Sequence, residues 1–233
     1  MIKITPLEKL GHANHGWLNA RHHFSFADYY DPARMGFGHL RVWNDDTIKG
    51  NSGFPMHPHR DMEIITYVRT GAITHEDSLG NRGKTIAGEV QVMSAGTGIR
   101  HSEYNEDENT LTLFQIWVEP DRAGHAPRWD AAKVSTATDE TFRLLVSGRK
   151  KDEGAGALFI HQDAAFYRAN LPSGANAEYT TEPGRMIYLV PARGEIVVNG
   201  KTVPERAGVQ IEDEDHITID APEGAEVVLL DLP

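Results

Sequence analysis

The sequence predicts an all-β fold with two antiparallel β-barrels of similar topology in one chain of 233 residues. Short segments rich in β-branched and aromatic residues recur between Gly, Asn, Asp and Pro residues, a pattern typical of sandwiches and barrels. Long amphipathic helical patterns are absent, and the second half of the chain loosely repeats the first. Apolar residues are spread along the whole length, so each half can bury a core.

The first half contains five candidate strands and one clear hairpin. The strands are predicted at residues 39–44, 62–69, 72–76, 89–93 and 111–118. Residues 77–81, Asp-Ser-Leu-Gly-Asn, are typical of a hairpin loop. The pattern breaks into a polar, Pro-containing stretch at residues 120–132, which we interpret as a connector. We therefore predict one domain at residues 1–130 and a second at 131–233.

Landmarks of the first half recur in the same order in the second half. Tyr67 matches Tyr188, the turn Gly80-Asn81 matches Asn199-Gly200, segment 87–92 matches 207–211, and segment 111–118 matches 226–232. We interpret this order as two barrels of one topology. The alternative is chance similarity between β-rich segments.

Composition excludes several classes of function. The formal net charge is -11 and no run is rich in Lys or Arg, which argues against direct nucleic-acid binding. The chain has no cysteine, so disulfides, thiolate metal sites and cysteine nucleophiles are excluded. No apolar run approaches the ~20 residues of a membrane span, and the first residues lack an apolar signal core. We expect a cytoplasmic monomer that does not bind membranes.

Two short motifs place metal-ligating side chains at strand spacing. Side chains at positions i and i+2 of a strand point to the same face. His57 and His59 can therefore direct two imidazoles to one point, and His101 and Glu103 can add an imidazole and a carboxylate. Several predicted strands separate the two motifs, which is enough chain for a barrel to bring them together. The other histidines have no informative spacing, and we interpret them as structural or surface residues.

This donor set suits a transition metal. Imidazoles and a carboxylate favour Fe, Mn, Ni, Cu or Zn over Ca or Mg, and we expect one divalent metal per chain, with Fe(II) as the first choice. A six-coordinate metal would keep two positions for substrate and dioxygen, whereas a closed structural site is the alternative. Glu63 lies four residues after His59, so strand parity also points it inward. Spacing alone therefore leaves the carboxylate ligand open between Glu103 and Glu63.

The segments around these residues resemble the cupin motifs and, more closely, the pirin family. The first cupin motif, a glycine, H-x-H, a glutamate and a glycine, is matched by Gly53, His57, His59, Glu63 and Gly71. The second is matched by Gly88, Gly96, His101 and Asn105, but with Ser94 in place of its proline and two extra residues before the histidine. Residues 96–105, GTGIRHSEYN, are similar to the pirin variant of this motif, as are residues 11–17, 23–30 and 57–63 to other pirin segments. The convincing match covers roughly residues 11–120.

The resemblance implies a bicupin of two jelly-roll-type barrels, with metal only in the N-terminal one. It also implies that Glu103 is the carboxylate ligand, with Glu63 supporting the site from outside the ligand set. Pirin-like proteins of this kind are associated with quercetinase activity, in which a flavonol reacts with dioxygen, its central ring opens and carbon monoxide is released. We predict that Glu103 is the base that accepts the flavonol proton. The flat substrate needs an apolar slot. Phe24, Phe26, Phe54 and Met56 lie nearby in sequence, and we interpret them as core residues in the first place and as slot residues in the second.

A second class of function stays open at this point. Some pirins are regulatory proteins that bind a protein partner, and an acidic surface suits that role as well as it suits an enzyme. A cupin isomerase or a sugar-binding barrel fits the pirin-type segment at residues 96–105 less well. Flavonol turnover is the observation that separates an enzyme from a regulator.

Overall fold

The computed structural model describes residues 1–133 and 139–233, and almost all of its regular structure is β-strand. Two short 3₁₀ segments occupy Leu7–Lys9 and Lys150–Asp152. The strands are β1 (Ile2–Thr5), β2 (Gly11–Asn14), β3 (Leu18–His22), β4 (Leu40–Ile48), β5 (Ser52–His59), β6 (Glu63–Thr70), β7 (Ala72–Asp77), β8 (Arg82–Ile86), β9 (Val90–Ser94), β10 (Ile99–Asn105), β11 (Leu111–Val118), β12 (Arg128–Ala132), β13 (Asp139–Ser147), β14 (Leu158–Phe159), β15 (Ala165–Leu171), β16 (Ala175–Thr180), β17 (Met186–Arg193), β18 (Ile196–Val198), β19 (Lys201–Val203), β20 (Gly208–Ile211), β21 (His216–Ala221) and β22 (Ala225–Leu232). Among the described residues, no helix has the length and apolar character that crossing a membrane requires.

The chain divides into two compact units. The N-terminal unit comprises Gly11–Ser135 and Leu158–Gln162, and the C-terminal unit comprises Met1–Leu10, Thr136–Ala157 and Asp163–Pro233. The first strand of the chain thus belongs to the C-terminal unit, where β1 pairs with β20. The domain bounds at residues 1–130 and 131–233 stay a prediction.

Each unit contains a larger and a smaller antiparallel sheet. In the N-terminal unit the larger sheet has the order β12-β9-β6-β11-β4-β3-β2 and the smaller one the order β5-β10-β7-β8. The C-terminal unit follows the same plan, with the orders β1-β20-β17-β22-β15-β13 and β16-β21-β18-β19. All strands described in these two C-terminal sheets have a counterpart in the N-terminal unit, whose larger sheet contains β2 in addition. This correspondence confirms the predicted repeat and the all-β bicupin architecture.

The five predicted strands of the first half are confirmed as β4, β6, β7, β9 and β11, and the hairpin loop lies between β7 and β8. The interpretation of residues 120–132 as a plain connector is wrong in part, because β12 pairs with β9. The side chains of β12 are half-buried or exposed. A strand at a sheet edge needs only backbone pairing, so it carries little of the apolar alternation that marks a strand in sequence.

The interior of the N-terminal unit has apolar ends and a polar middle. One end is the cluster that contains Ile48, Val68 and Leu113, and the other contains Ile64 and Met93. Inward positions of a strand recur every second residue. Along β6, Ile64 and Val68 lie in the two clusters, and the position between them is the buried Thr66. This middle layer is where the candidate ligands are found.

Candidate metal centre

The smaller sheet of the N-terminal unit positions the predicted histidines. Strand β10 lies between β5 and β7, and its register places His101 directly opposite His57, with Ile99 opposite His59. Burial alternates along β10, so that His101 and Glu103 are buried. Gly53 permits the close approach of the two strands, because a β-carbon at this position would overlap the carbonyl oxygen of Glu103.

The three imidazoles converge on one point. The ligand nitrogens of His57, His59 and His101 all lie within 4.8 Å of one another. The Nε2 atoms of His57 and His101 are 3.0 Å apart. This spacing fits nitrogen atoms that share a cation.

In His57 and His101, the ring nitrogen that faces away from this point has a hydrogen-bond partner. His57 Nδ1 donates to the carbonyl oxygen of Pro55 at 2.7 Å, which leaves its Nε2 lone pair free to bind a metal. Burial and the neighbouring imidazoles lower the pKa of His59 to about 4 and that of His101 to about 3. His59 and His101 are therefore neutral at pH 7, which is the form that binds a metal.

Glu103 lies beside the three histidines rather than inside their cluster. Its carboxylate forms an overlapping group with His75 and His101, again with ligand atoms within 4.8 Å. Its oxygens also accept two amide hydrogen bonds, Oε1 from Gln91 at 2.8 Å and Oε2 from Gln115 at 2.7 Å. A carboxylate has about four lone-pair positions, so these bonds leave room for a further partner.

The two amides belong to a polar row that crosses the larger sheet. The register aligns Asn44 of β4, Gln115 of β11, Thr66 of β6 and Gln91 of β9. A threonine hydroxyl fixes the orientation of each glutamine amide. Oε1 of Gln91 accepts a hydrogen bond from Thr85, and Oε1 of Gln115 accepts one from Thr66. In the C-terminal unit, the positions that correspond to Thr66 and Gln91 are occupied by Ile187 and Ile211, which pair with each other. These two positions are thus polar in the N-terminal unit and apolar in the C-terminal unit.

None of the four residues of this row was predicted from the sequence to belong to the site. Each member is a single polar residue in an otherwise apolar strand, and buried polar groups need partners. That signal was present in the sequence, but it does not say which partner each residue finds. The four residues lie on four different strands, and only the register aligns them.

Glu63, the alternative carboxylate, faces a different environment. Its Oε2 accepts from the Ser94 hydroxyl at 2.7 Å, and its Oε1 lies 3.1 Å from His161 Nδ1. The expectation that Glu63 points inward because it lies four residues after His59 is wrong. The chain turns at Asp61, whose φ is 46°, and passes from β5 of the smaller sheet to β6 of the larger one. Burial raises the pKa of Glu63. The local hydrogen-bonding role is the one that its contacts support.

The histidine cluster opens into an apolar cavity of about 390 Å³. Its wall contains the four candidate ligands and a set of apolar residues. The ligand side comprises His57, His59, His101 and Glu103, and the apolar side includes Phe26, Phe54, Met56 and Trp117. Phe24 does not line the cavity and is buried, which agrees with core packing rather than with a place in the slot. His22, which had no informative spacing, is part of the wall.

Comparison with known proteins agrees with this architecture. Residues 4–118 match the family model Pirin, and residues 144–232 match the model of the quercetinase C-terminal cupin domain. The chain is 53% identical to a pirin-like protein of Caulobacter vibrioides over 99% of each chain. It is 43% identical to the quercetin 2,3-dioxygenase of Escherichia coli, over 100% of this chain and 99% of the relative.

The fold has a close counterpart among solved structures. The crystal structure of bacterial pirin YhhW from Escherichia coli in complex with nickel(II) superposes with a TM-score of 0.94, at 43% identity, over 100% of this chain and 99% of the other. The two sheets of each unit, the histidine cluster in the first unit and these similarities lead to one conclusion. The chain belongs to the pirin family of cupin proteins.

Proposed function

We propose that the chain binds one divalent transition metal through His57, His59, His101 and Glu103, and that it catalyses the dioxygenation of flavonols such as quercetin. The observation that carries the proposal is the opening of the three-histidine cluster into the apolar cavity. The cavity volume of about 390 Å³ falls within the ~300–1,000 Å³ that is common for small-molecule sites. The reaction class comes from the activity named for the Escherichia coli relative.

Fe(II) remains our first choice of metal. The nickel(II) complex of the Escherichia coli pirin supports a site that accepts a divalent transition metal. Neutral imidazoles and a carboxylate suit either ion. When bound, the metal would supply a Lewis acid next to the flavonol 3-hydroxyl.

The protein's own residues have separate roles in this proposal. The aromatic side chains of Phe54 and Trp117 confine the flat rings of the substrate and exclude water from the reacting end. Glu103 accepts the proton of the 3-hydroxyl through a lone pair that the amides of Gln91 and Gln115 do not use. Because those amides fix the carboxylate, the base has a defined position before the substrate arrives.

Turnover with matched substrates tests the proposal. Metal-free protein is reloaded with iron, manganese, nickel or copper in turn. Flavonol absorbance, dioxygen uptake and carbon monoxide release are then followed for quercetin and for luteolin, which lacks the 3-hydroxyl. We expect quercetin to be consumed with release of carbon monoxide and luteolin to be stable. His57→Ala is the control that lacks a ligand and should consume neither.

Two outcomes would contradict the proposal. Comparable rates on luteolin would exclude activation through the 3-hydroxyl. No turnover with any of the four metals at full occupancy would favour the regulatory function, for which the net charge of -11 offers a surface that suits a basic protein partner.

A further inference from the structure

Asp46 is a buried carboxyl group in the wall of the metal-site cavity. It lies on β4 with its side chain on the same face as Asn44, opposite Ala20 of β3 and Leu113 of β11. Only 2% of the residue is exposed, and it lines the cavity together with the histidine cluster. It therefore belongs to the space that a bound substrate would fill.

One oxygen of this carboxyl group lacks a protein partner. Oδ1 of Asp46 is buried and has no hydrogen-bond partner among the described residues. The adjacent Asp45 is different, since its Oδ1 pairs with the guanidinium of Arg69. Two consecutive side chains of a strand point to opposite faces, so Arg69 pairs with Asp45 on one face while Asp46 points into the cavity on the other.

An unpaired buried acceptor costs free energy, so an Asp at this position requires an explanation. Leaving such a group unsatisfied typically costs a protein more than an apolar residue of the same size would. Burial, followed by the neighbouring carboxylates of Asp45 and Glu103, raises the pKa of Asp46 to about 8. A carboxyl group accepts a hydrogen bond from a hydroxyl in either protonation state and can also donate one when it is protonated, so an unpaired, buried carboxyl oxygen suits a hydroxyl.

We propose that Asp46 binds a phenolic hydroxyl of the substrate other than the hydroxyl that meets the metal. The neighbouring wall supports this assignment, because His22 Nδ1 lies 2.8 Å from Asn44 Oδ1 and both residues line the cavity beside Asp46. The cavity then combines a metal-binding side, aromatic side chains and a hydroxyl subsite on the β3–β4 wall. This inference rests on the proposed flavonol dioxygenase function and states which substituent the cavity selects.

Binding of two flavonols without turnover tests the subsite. The metal-loaded protein is titrated under nitrogen with 3-hydroxyflavone, whose only hydroxyl is the one next to the carbonyl, and with quercetin, which carries four more. Dissociation constants are read from the absorbance shift of each flavonol. Asp46→Leu removes the polar atoms at similar volume, and Asp46→Asn keeps a hydrogen-bonding group of the same shape.

We expect the wild-type protein to prefer quercetin and Asp46→Leu to lose that preference. A hydrogen bond to a buried polar group accounts for a change of roughly 10- to 100-fold in the dissociation constant. Asp46→Leu should thus raise the dissociation constant of quercetin by that factor, while the dissociation constant of 3-hydroxyflavone changes by less than about threefold. Asp46→Asn should retain most of the preference for quercetin. Thermal melting adds a second measurement, because Asp46→Leu should not lower the melting temperature if the carboxyl has no structural partner.

A control variant separates the subsite from general changes in the cavity. Met56, which is 42% exposed, is an apolar part of the same wall, so Met56→Leu should affect both flavonols equally. Tight binding of both flavonols with a preference that Asp46→Leu leaves unchanged would overturn the subsite and keep the flavonol function. If neither flavonol binds the wild-type protein, the proposed function and the subsite that rests on it are both wrong.

Discussion

The Nδ1 atoms of His75 and His101 lie 3.4 Å apart. The other ring nitrogen of His75, Nε2, lies 3.0 Å from Oδ2 of Asp77. A neutral His75 must carry its proton on Nε2 to donate to this carboxylate, so its Nδ1 can only accept. His101 must then donate from Nδ1, which leaves the Nε2 lone pair of His101 directed at the candidate metal position.

Asp77 thus sets the proton position of a candidate ligand through His75. The turn after β7 holds the carboxylate, because Oδ1 of Asp77 accepts the backbone N–H groups of Leu79 and Asn81. Trp129 packs in parallel against the His75 ring, with the ring centroids 4.9 Å apart and the planes at 8°. His75 and Asp77 are positioning residues that act on His101.

Asp77→Asn should weaken metal binding although the variant keeps the size of the side chain. The two backbone N–H groups require an oxygen at the Oδ1 position, so the new amide nitrogen faces His75. His75 then accepts at Nε2 and donates from Nδ1, and the proton of His101 moves to the nitrogen that would bind the metal. Loss of such an orienting partner typically costs roughly 10- to 100-fold in metal affinity, which competition with a chromophoric chelator measures.

A second histidine–aspartate pair in the same unit supplies the control. Asp121 Oδ1 lies 2.6 Å from His125 Nε2, and neither residue lines the cavity. Asp121→Asn should therefore leave the metal affinity unchanged. Wild-type affinity in Asp77→Asn, measured in protein with an unchanged melting temperature, would show that the histidine pair does not control the His101 tautomer.

Substitution of Glu103 should affect catalysis more than substitution of Glu63. Glu103→Gln removes a negative charge and the proposed proton acceptor, and it sets an amide N–H₂ group against the amide donor of Gln91 or Gln115. A positioned base typically contributes ~100- to 10,000-fold to the rate. At matched metal occupancy, the rate of flavonol turnover by Glu103→Gln should therefore be lower than that of the wild type by a factor in this range. Glu63→Gln, whose contacts are with Ser94 and His161, should have the milder effect, because loss of a supporting residue outside the ligand set typically costs roughly 10- to 100-fold.

The ranking of these two variants decides the identity of the carboxylate ligand. Metal content is measured on each purified variant, and rates are compared after reloading to equal occupancy. A larger loss in Glu63→Gln than in Glu103→Gln would assign the metal to Glu63 and would contradict the hydrogen bonds that hold Glu63 away from the cavity.

The barrels and the histidines were predictable from sequence for different reasons. Strand positions followed from apolar segments between turn residues, as for β6 and β11, and the repeat followed from matched landmarks. The spacing of His57, His59 and His101 predicted the cluster because side chains two apart share a face. That rule holds only within one strand, so it failed for Glu63 on the far side of the turn at Asp61.

Cross-strand alignment is what the sequence could not provide. Asn44 and Gln115 are 71 positions apart in number and meet only through the register of β4 with β11. His75 and Asp77 share an alternating pattern with many surface residues, and their relation to His101 appears only when β7 pairs with β10. Positioning groups of this kind depend on tertiary contacts that no local pattern records.

Metal content should depend on the N-terminal histidines alone. We expect about one transition metal per chain in protein purified without chelator, as measured by elemental analysis. His57→Ala, His59→Ala and His101→Ala should each reduce it, because removal of a ligand leaves too few donors.

The histidines away from the cluster provide the controls for metal content. His161 lies beside Glu63, and His216 is exposed on β21. Both His161→Ala and His216→Ala should keep wild-type metal content. Two equivalents of metal in the wild-type protein, or equal loss in both groups of variants, would contradict a single centre at the predicted residues.

The metal-free protein should carry a pH-dependent penalty from its neutral histidines. The pKa values of His59 and His101 are lowered in the folded state to about 4 and about 3, whereas histidine in an unfolded chain has a pKa near ~6.5. Below that pH the unfolded chain binds protons that the folded chain does not, so the free energy of unfolding decreases as the pH falls. Above pH ~7 both states hold neutral imidazoles and this contribution vanishes.

Asp46 and Glu63 act in the opposite direction, since their raised pKa values favour the folded state as the pH falls. Because the wild type and a histidine variant share these two carboxyl groups, the difference between their melting temperatures isolates the contribution of the histidine to stability. At pH 8, we expect the melting temperature of chelator-treated His101→Gln to equal that of the wild type or to lie below it. Between pH 6.5 and pH 5, the melting temperature of the variant should rise progressively relative to that of the wild type. Exposed His216→Gln should show a constant difference from the wild type over the same range. If the wild type and His101→Gln differ by the same amount at every pH, His101 is not held neutral by the fold, and the pairing of its imidazole with His57 and His75 would need a different protonation state.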